Sequence, residues 1–161
     1  MKKILCYLVL MLLVANVAWA DRTIKGSTIT PILPYYPVGG TADIALEAFN
    51  ASTLMGDKII EASITFPQGV TVNSATNFIQ ELWEGVYAGG LDYDGTTGEG
   101  VTVTWTAPDY YITGILIGLT GLSTINMSFA DDVPDSLTFN YKFTGEDFYG
   151  GIHFIEDSFT M

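Results

Sequence analysis

Hydrophobic and polar residues alternate along most of this chain, most clearly on either side of a turn-rich stretch between residues 59 and 105. Ile60, Ala62, Ile64 and Phe66 fall on one side of an extended backbone, with Glu61, Ser63 and Thr65 on the other. Pro67-Gln68-Gly69 then turns the chain into Val70-Thr71-Val72. Val101, Val103 and Trp105 repeat the period against Thr102, Thr104 and Thr106. A period of two places alternate side chains on opposite faces of a strand, so these stretches predict half-buried strands around which the others assemble.

The same reading applies on both sides of that core. Ala42, Ile44, Leu46 and Ala48 oppose Asp43, Glu47 and Phe49. Ile125, Met127 and Phe129 alternate with Asn126 and Ser128, and Leu137, Phe139, Tyr141 and Phe143 form a further strand after the acidic turn at 131–135. Residues 23–33 read as a strand leading into the rigid segment 34–40, and a final strand covers about residues 152–159. The apolar run at 112–119, split by Gly114 and Gly118, suits a buried strand and is too short to span a membrane.

One segment changes period. Phe78, Ile79, Leu82, Trp83, Val86 and Tyr87 recur at intervals of three and four, Asn77 is placed to cap a start, and Gly89-Gly90 to end it. This spacing predicts a short helix over about 77–87, with residues 91–100 a polar, glycine-rich loop behind it. The total is about eight or nine strands with no βα repeat and no heptads. That makes the fold class all-β: a two-sheet antiparallel β-sandwich, with a closed barrel as the alternative.

Composition adds an address. Lys2 and Lys3, an apolar run from Ile4 to Val17, and Ala18-Trp19-Ala20 before Asp21 make residues 1–20 a cleavable secretory signal peptide, leaving residues 21–161 as one domain. Cys6 is the only cysteine and leaves with that peptide, so the mature domain uses neither disulfides nor a cysteine nucleophile. Arg22, Lys25, Lys58 and Lys142 then face all eighteen acidic residues, a formal charge of −14. Nucleic acid and anionic lipid both require a cationic face, so neither is an expected partner, and after cleavage the chain is not an integral membrane protein.

The run from Ile64 to Val72, then Ser74-Ala75-Thr76-Asn77-Phe78 and Val103-Thr104-Trp105, resembles immunoglobulin-like β-sandwich modules of secreted and surface proteins in bacteria, particularly the Bacteroidetes type. The run from Phe139 to Gly150, with His153 just beyond, resembles the penultimate strand of such modules and its acidic, glycine-bounded turn. The resemblance implies a fold and an extracytoplasmic location, in the periplasm, at the cell surface or outside the cell, and contributes no catalytic residues.

Candidate chemistry is sparse. Asp92, Asp94 and Glu99, with Gly95 between them, are ingredients of a Ca²⁺ loop, to which Asp131, Asp132 and Asp135 of another loop are candidate additions. The competing reading is a solvated connection whose Asp-Gly serves turn geometry. His153 is the only histidine, which removes His-pair zinc sites, and no Gly-x-Ser-x-Gly elbow accompanies it. Tyr35-Tyr36, Tyr110-Tyr111 and Phe148-Tyr149 are adjacent rings at expected loops or strand ends. They suit contact with sugar rings or a protein; alternatively, one ring of each pair covers the open end of the sandwich. Together these features point to a non-enzymatic binding or structural module without a required cofactor, whose contacts come from end loops carrying Tyr110, Tyr111, Phe148 and Tyr149 or from an exposed sheet edge. A Ca²⁺-assisted carbohydrate-binding domain and a small secreted hydrolase are the alternatives.

Overall fold

A computed structural model describes residues 24–53, 55–83, 86–108, 114–118 and 120–161, those at 81–83 and 86–88 by their backbone alone. The elements are β1 (Thr28–Pro31), β2 (Thr41–Phe49), β3 (Lys58–Thr65), β4 (Val70–Ala75), β5 (Phe78–Trp83), β6 (Val86–Tyr93), β7 (Gly98–Glu99), β8 (Thr102–Thr106), β9 (Ile115–Leu116), β10 (Thr120–Phe129), β11 (Thr138–Glu146) and β12 (Ile152–Thr160). Every pairing among them is antiparallel.

Two layers enclose the core. In the first, β1, β2 and β10 lie side by side, and the far edge of β10 is shared by β4 and then β5. In the second, β12, β11 and β3 lie side by side, and the far edge of β3 is shared by β8 and β9. β6 pairs with β5 in one layer and, through Asp92 and Tyr93, with β8 in the other, so the layers are continuous along that side. On the opposite side β1 and β12 come close with no ladder between them among the described residues, so the two layers form a sandwich joined along one side.

The alternation sets what is buried. Ile44, Leu46 and Ala48 of β2 point inward while Glu47 and Phe49 point out; Ile125, Met127 and Phe129 of β10, and Phe139, Tyr141 and Phe143 of β11, do the same. The two central stretches of the sequence pair directly, Ala62 opposite Trp105 and Ile64 opposite Val103. Ile60 departs from the expectation: it is partly exposed, and Ile59 is buried in its place. The register of β3 on β11 slips between Thr144 and Gly145, and such a bulge adds a residue that reverses the facing beyond it.

The helix expected over 77–87 is not formed. Residues 78–83 and 86–87 fall in β5 and β6, antiparallel neighbours in which Phe78 and Gln80 face the core and Ile79 faces out. Pairing with β10 at Leu122 and with β6 satisfies the backbone in an extended form, so tertiary pairing overrides the three-and-four spacing. Asn77 caps nothing; it bridges strands, its Nδ2 donating to Asp92 (2.7 Å) and its Oδ1 accepting from the Tyr93 amide (2.9 Å). Gly90, read as a helix stop, sits in β6 opposite Ile79, where a Cβ would lie 2.1 Å from the Phe78 carbonyl oxygen. The expected 91–100 loop is shorter than predicted, because Leu91 is buried in β6 and residues 98–99 form β7. Of the apolar run at 112–119, the described part contains only the two-residue β9.

Candidate functional site

The β11–β12 turn is built around one carboxylate. The Asp147 amide donates to the Gly151 carbonyl (2.9 Å), and the Gly150 amide donates to the Asp147 carbonyl (3.0 Å). Asp147 Oδ1 accepts from the amides of Tyr149 and Gly151, each at 2.8 Å, and Oδ2 lies 3.1 Å from His153 Nε2. An aspartate that bonds its own backbone two residues on is a turn-former, and here the turn it forms carries Phe148 and Tyr149 at its tip. Phe148 and Tyr149 therefore stand out, 71% and 81% exposed, with their rings edge to face at 5.3 Å.

The Gly151 amide, then His153 and the Tyr149 amide, hold the Asp147 carboxyl below its ordinary value of 3.8. A carboxyl with a depressed folded pKa stabilises the fold fully above the unfolded value and loses that contribution as pH falls through the folded one. Asp147→Asn should therefore cost most near neutrality, with the difference from the parent closing below pH 3.8 in a urea titration across acid pH. A difference that stays constant across that range would show that the carboxylate charge does not support the turn.

Around the turn the surface remains apolar. The Phe148 ring packs over Gly56, beside Met55, which is 88% exposed. Ile152 and Phe154 extend the ridge along the outer face of β12, and Lys142 of β11 places Nζ 4.7 Å from the centre of the Phe154 ring. Lys58 and Glu146 pair at 3.2 Å at its margin. Beyond Phe154 the same face becomes a shallow polar groove of about 500 Å³ lined by Ser63, Thr65, Asn140, Lys142, Glu156 and Ser158. Met55, Ile152, Phe154 and Lys142 had not been singled out as site residues. A signal was present: Ile152 and Phe154 on one face of β12, with Ile155 and Phe159 on the other, make it apolar on both sides, more than a strand with one buried face needs.

The other candidates are dispersed. Asp92 accepts from Asn77; Asp94 accepts from the amides of Thr96 (2.8 Å) and Thr104 (3.1 Å); Glu99 accepts from the Gly69 amide (2.9 Å) at the opposite end of the sandwich from Phe148. Among the described residues, no group of three or more His, Cys, Asp or Glu side chains is placed to hold a metal ion. Tyr110 and Tyr111 lie outside the described residues, as do residues 1–20, where a signal peptide is expected. Tyr36 stacks on Phe129 at 4.7 Å and donates to the Pro134 carbonyl, whereas Tyr35 is 68% exposed. That pair has one ring covering an end of the sandwich and one exposed; Phe148 and Tyr149 are both largely exposed.

No protein-family model matches the chain, and no curated protein matches it. Solved structures do. The major pilin subunit of Bacillus cereus aligns with 83% of this chain at a TM-score of 0.55 and 14% identity, the chain spanning 39% of the pilin. The collagen-binding subdomain of an Enterococcus faecalis surface protein aligns over 87% of this chain and 98% of its own, with a TM-score of 0.51 and 12% identity. A Nocardia farcinica protein described as having an immunoglobulin-like fold aligns over 79% and 80%, with a TM-score of 0.49 and 19% identity. The fold is the all-β, antiparallel sandwich architecture of the pilin and of the collagen-binding subdomain. At these identities the similarity concerns architecture alone. Among the described residues, no helix is long and apolar enough to cross a membrane.

Proposed function

We propose that this protein is an exported, non-enzymatic binding or structural module of a bacterial envelope or extracellular assembly, engaging a protein or glycan through the ridge of Phe148, Tyr149, Ile152 and Phe154. The observation that carries the reading is the β11–β12 turn: backbone bonds and the Asp147 carboxylate close it without using either ring at its tip, and both rings are left largely exposed. A buried aromatic side chain is worth roughly 2 kcal/mol when covered, and a rigid, two-ring tip reaches that with little loss of side-chain freedom. A pilin subunit and the collagen-binding subdomain of a bacterial surface protein share the architecture, which supports a surface location.

The test is a double variant, Phe148→Ala with Tyr149→Ala. It should keep its urea midpoint, shifting stability by no more than about 0.5 kcal/mol, as exposed substitutions do. In a screen against immobilised glycans and matrix proteins, collagen among them because a domain of this fold binds it, the parent's signals should vanish in the variant. Signals that persist undiminished would remove the ridge from the reading.

A further inference from the structure

The layer opposite the ridge has a different charge. Its strands, β1, β2, β4, β5, β6, β7 and β10, contain Asp43, Glu47, Glu81, Asp92 and Glu99 and no Lys, Arg or His. The strand-borne cations, Lys58, Lys142 and His153, all belong to β3, β11 and β12. The outer face of this acidic layer is not uniformly polar. Phe49, Leu122 and Ile79 are 39%, 50% and 46% exposed. The register sets Leu122 opposite both Glu47 and Ile79, and Phe49 opposite Thr120, so the three apolar side chains run diagonally across β2, β10 and β5.

The diagonal continues into a groove. Ile79 faces Gly90 across the β5–β6 pairing, and with Asn77, Gly89, Asp92 and Pro108 these residues line a depression of about 340 Å³. Two adjacent glycines leave its floor as bare backbone. Asp92 closes the groove at one end with only one oxygen engaged, by Asn77. At the other end of the diagonal, Glu47 has no cation or side-chain hydrogen-bond partner among the described residues. An apolar stripe rimmed by uncompensated carboxylates is complementary to one kind of occupant.

We propose that this face docks a basic polypeptide, an extended segment whose Lys or Arg residues meet Glu47 and Asp92 while apolar side chains between them cover Phe49, Leu122 and Ile79. Charge decides among occupants. A second copy of a chain of net charge −12 would bring its own carboxylates to the same face, and an anionic lipid surface or nucleic acid would be repelled. Exposed ion pairs are individually weak, so the apolar diagonal supplies most of the affinity and the carboxylates select the partner and hasten its approach. This surface lies on the other sheet from the Phe148 ridge and does not depend on it.

The probe is an acetylated twelve-residue peptide of Lys, Val and Ser, titrated into the purified protein by fluorescence anisotropy, beside versions with every Lys made Glu or every Val made Ser. The Lys–Val peptide should bind and the other two should not. Its affinity should fall about tenfold in Leu122→Ser, in Glu47→Lys, and on raising salt past the point where surface charges are screened. Phe148→Ala should leave it unchanged, which separates this surface from the ridge. Leu122 and Glu47 are exposed, so neither change threatens the fold; a circular dichroism melt verifies this. Absence of Lys–Val binding, equal binding of the Glu version, or affinity indifferent to both substitutions would overturn the proposal. So would sedimentation showing a dimer that Leu122→Ser dissolves, which would assign the face to a second copy.

Discussion

Trp105→Ala is expected to destabilise the fold by about 3–5 kcal/mol, the usual cost of deleting a large buried aromatic. Trp105 is fully buried and touches both layers. It belongs to β8, between β3 and β6, and its indole Nε1 donates to the carbonyl of Thr76 (2.9 Å), the residue that joins β4 to β5 in the other layer. Its ring meets Phe78 edge-on at 5.1 Å and lies 5.9 Å from Tyr93. Alanine would leave a cavity at the point where the layers are stitched together. The Thr76 carbonyl would keep one donor, the Ser123 hydroxyl at 2.7 Å, so the loss is mainly one of packing. Trp105→Phe should accordingly cost less than half as much. Urea denaturation measures both, and a loss under about 1 kcal/mol for the alanine variant would show that Trp105 is not central to the core.

The second large effect comes from a residue with no side chain. Gly114 holds φ at +101°, and a Cβ there would lie 2.3 Å from the carbonyl oxygen of Ile59, at the start of the β3–β9 pairing. Its amide donates to the Gly90 carbonyl at 3.0 Å, which ties the segment to β6. An L-residue at such a φ costs about 1–3 kcal/mol before any clash is counted, and here the clash is with backbone that a rotamer change cannot relieve. Gly114→Ala should therefore lose at least about 2 kcal/mol and raise amide exchange in β9 and at the start of β3. Gly118, also at positive φ but with nothing within 4 Å of its would-be Cβ, serves as the comparison: its alanine variant should lose the conformational part only. Equal losses at the two positions would show that close approach to Ile59 contributes nothing.

The inward faces of β2, β10 and β11 were legible because each strand has one buried side, and a two-residue period admits one assignment once Ile44, Ile125 or Phe139 is placed inside. β5 and β6 were misread because a short apolar segment fits both periods and the choice between them is made by neighbours remote in sequence, here Leu122 for Ile79 and Asp92 for Asn77. Ile60 was misfaced for a related reason: a bulge belongs to a pair of strands and leaves no trace in either one alone. The candidate site divides in the same way. Phe148 and Tyr149 stood out as adjacent rings beside acid and glycine. The contact of Phe148 with Gly56, and hence the extension of the ridge to Met55, joins segments about ninety residues apart.

By itself, the sequence determined that this chain forms strands, which side of most of them is buried, and that its net charge is −12, because these follow from local periodicity and from summed charge. The tertiary structure alone decided how the strands are ordered, where the layers join through β6, and which apolar residues remain outside. Those outcomes depend on pairings between distant segments, whose free energy no single stretch of the chain contains.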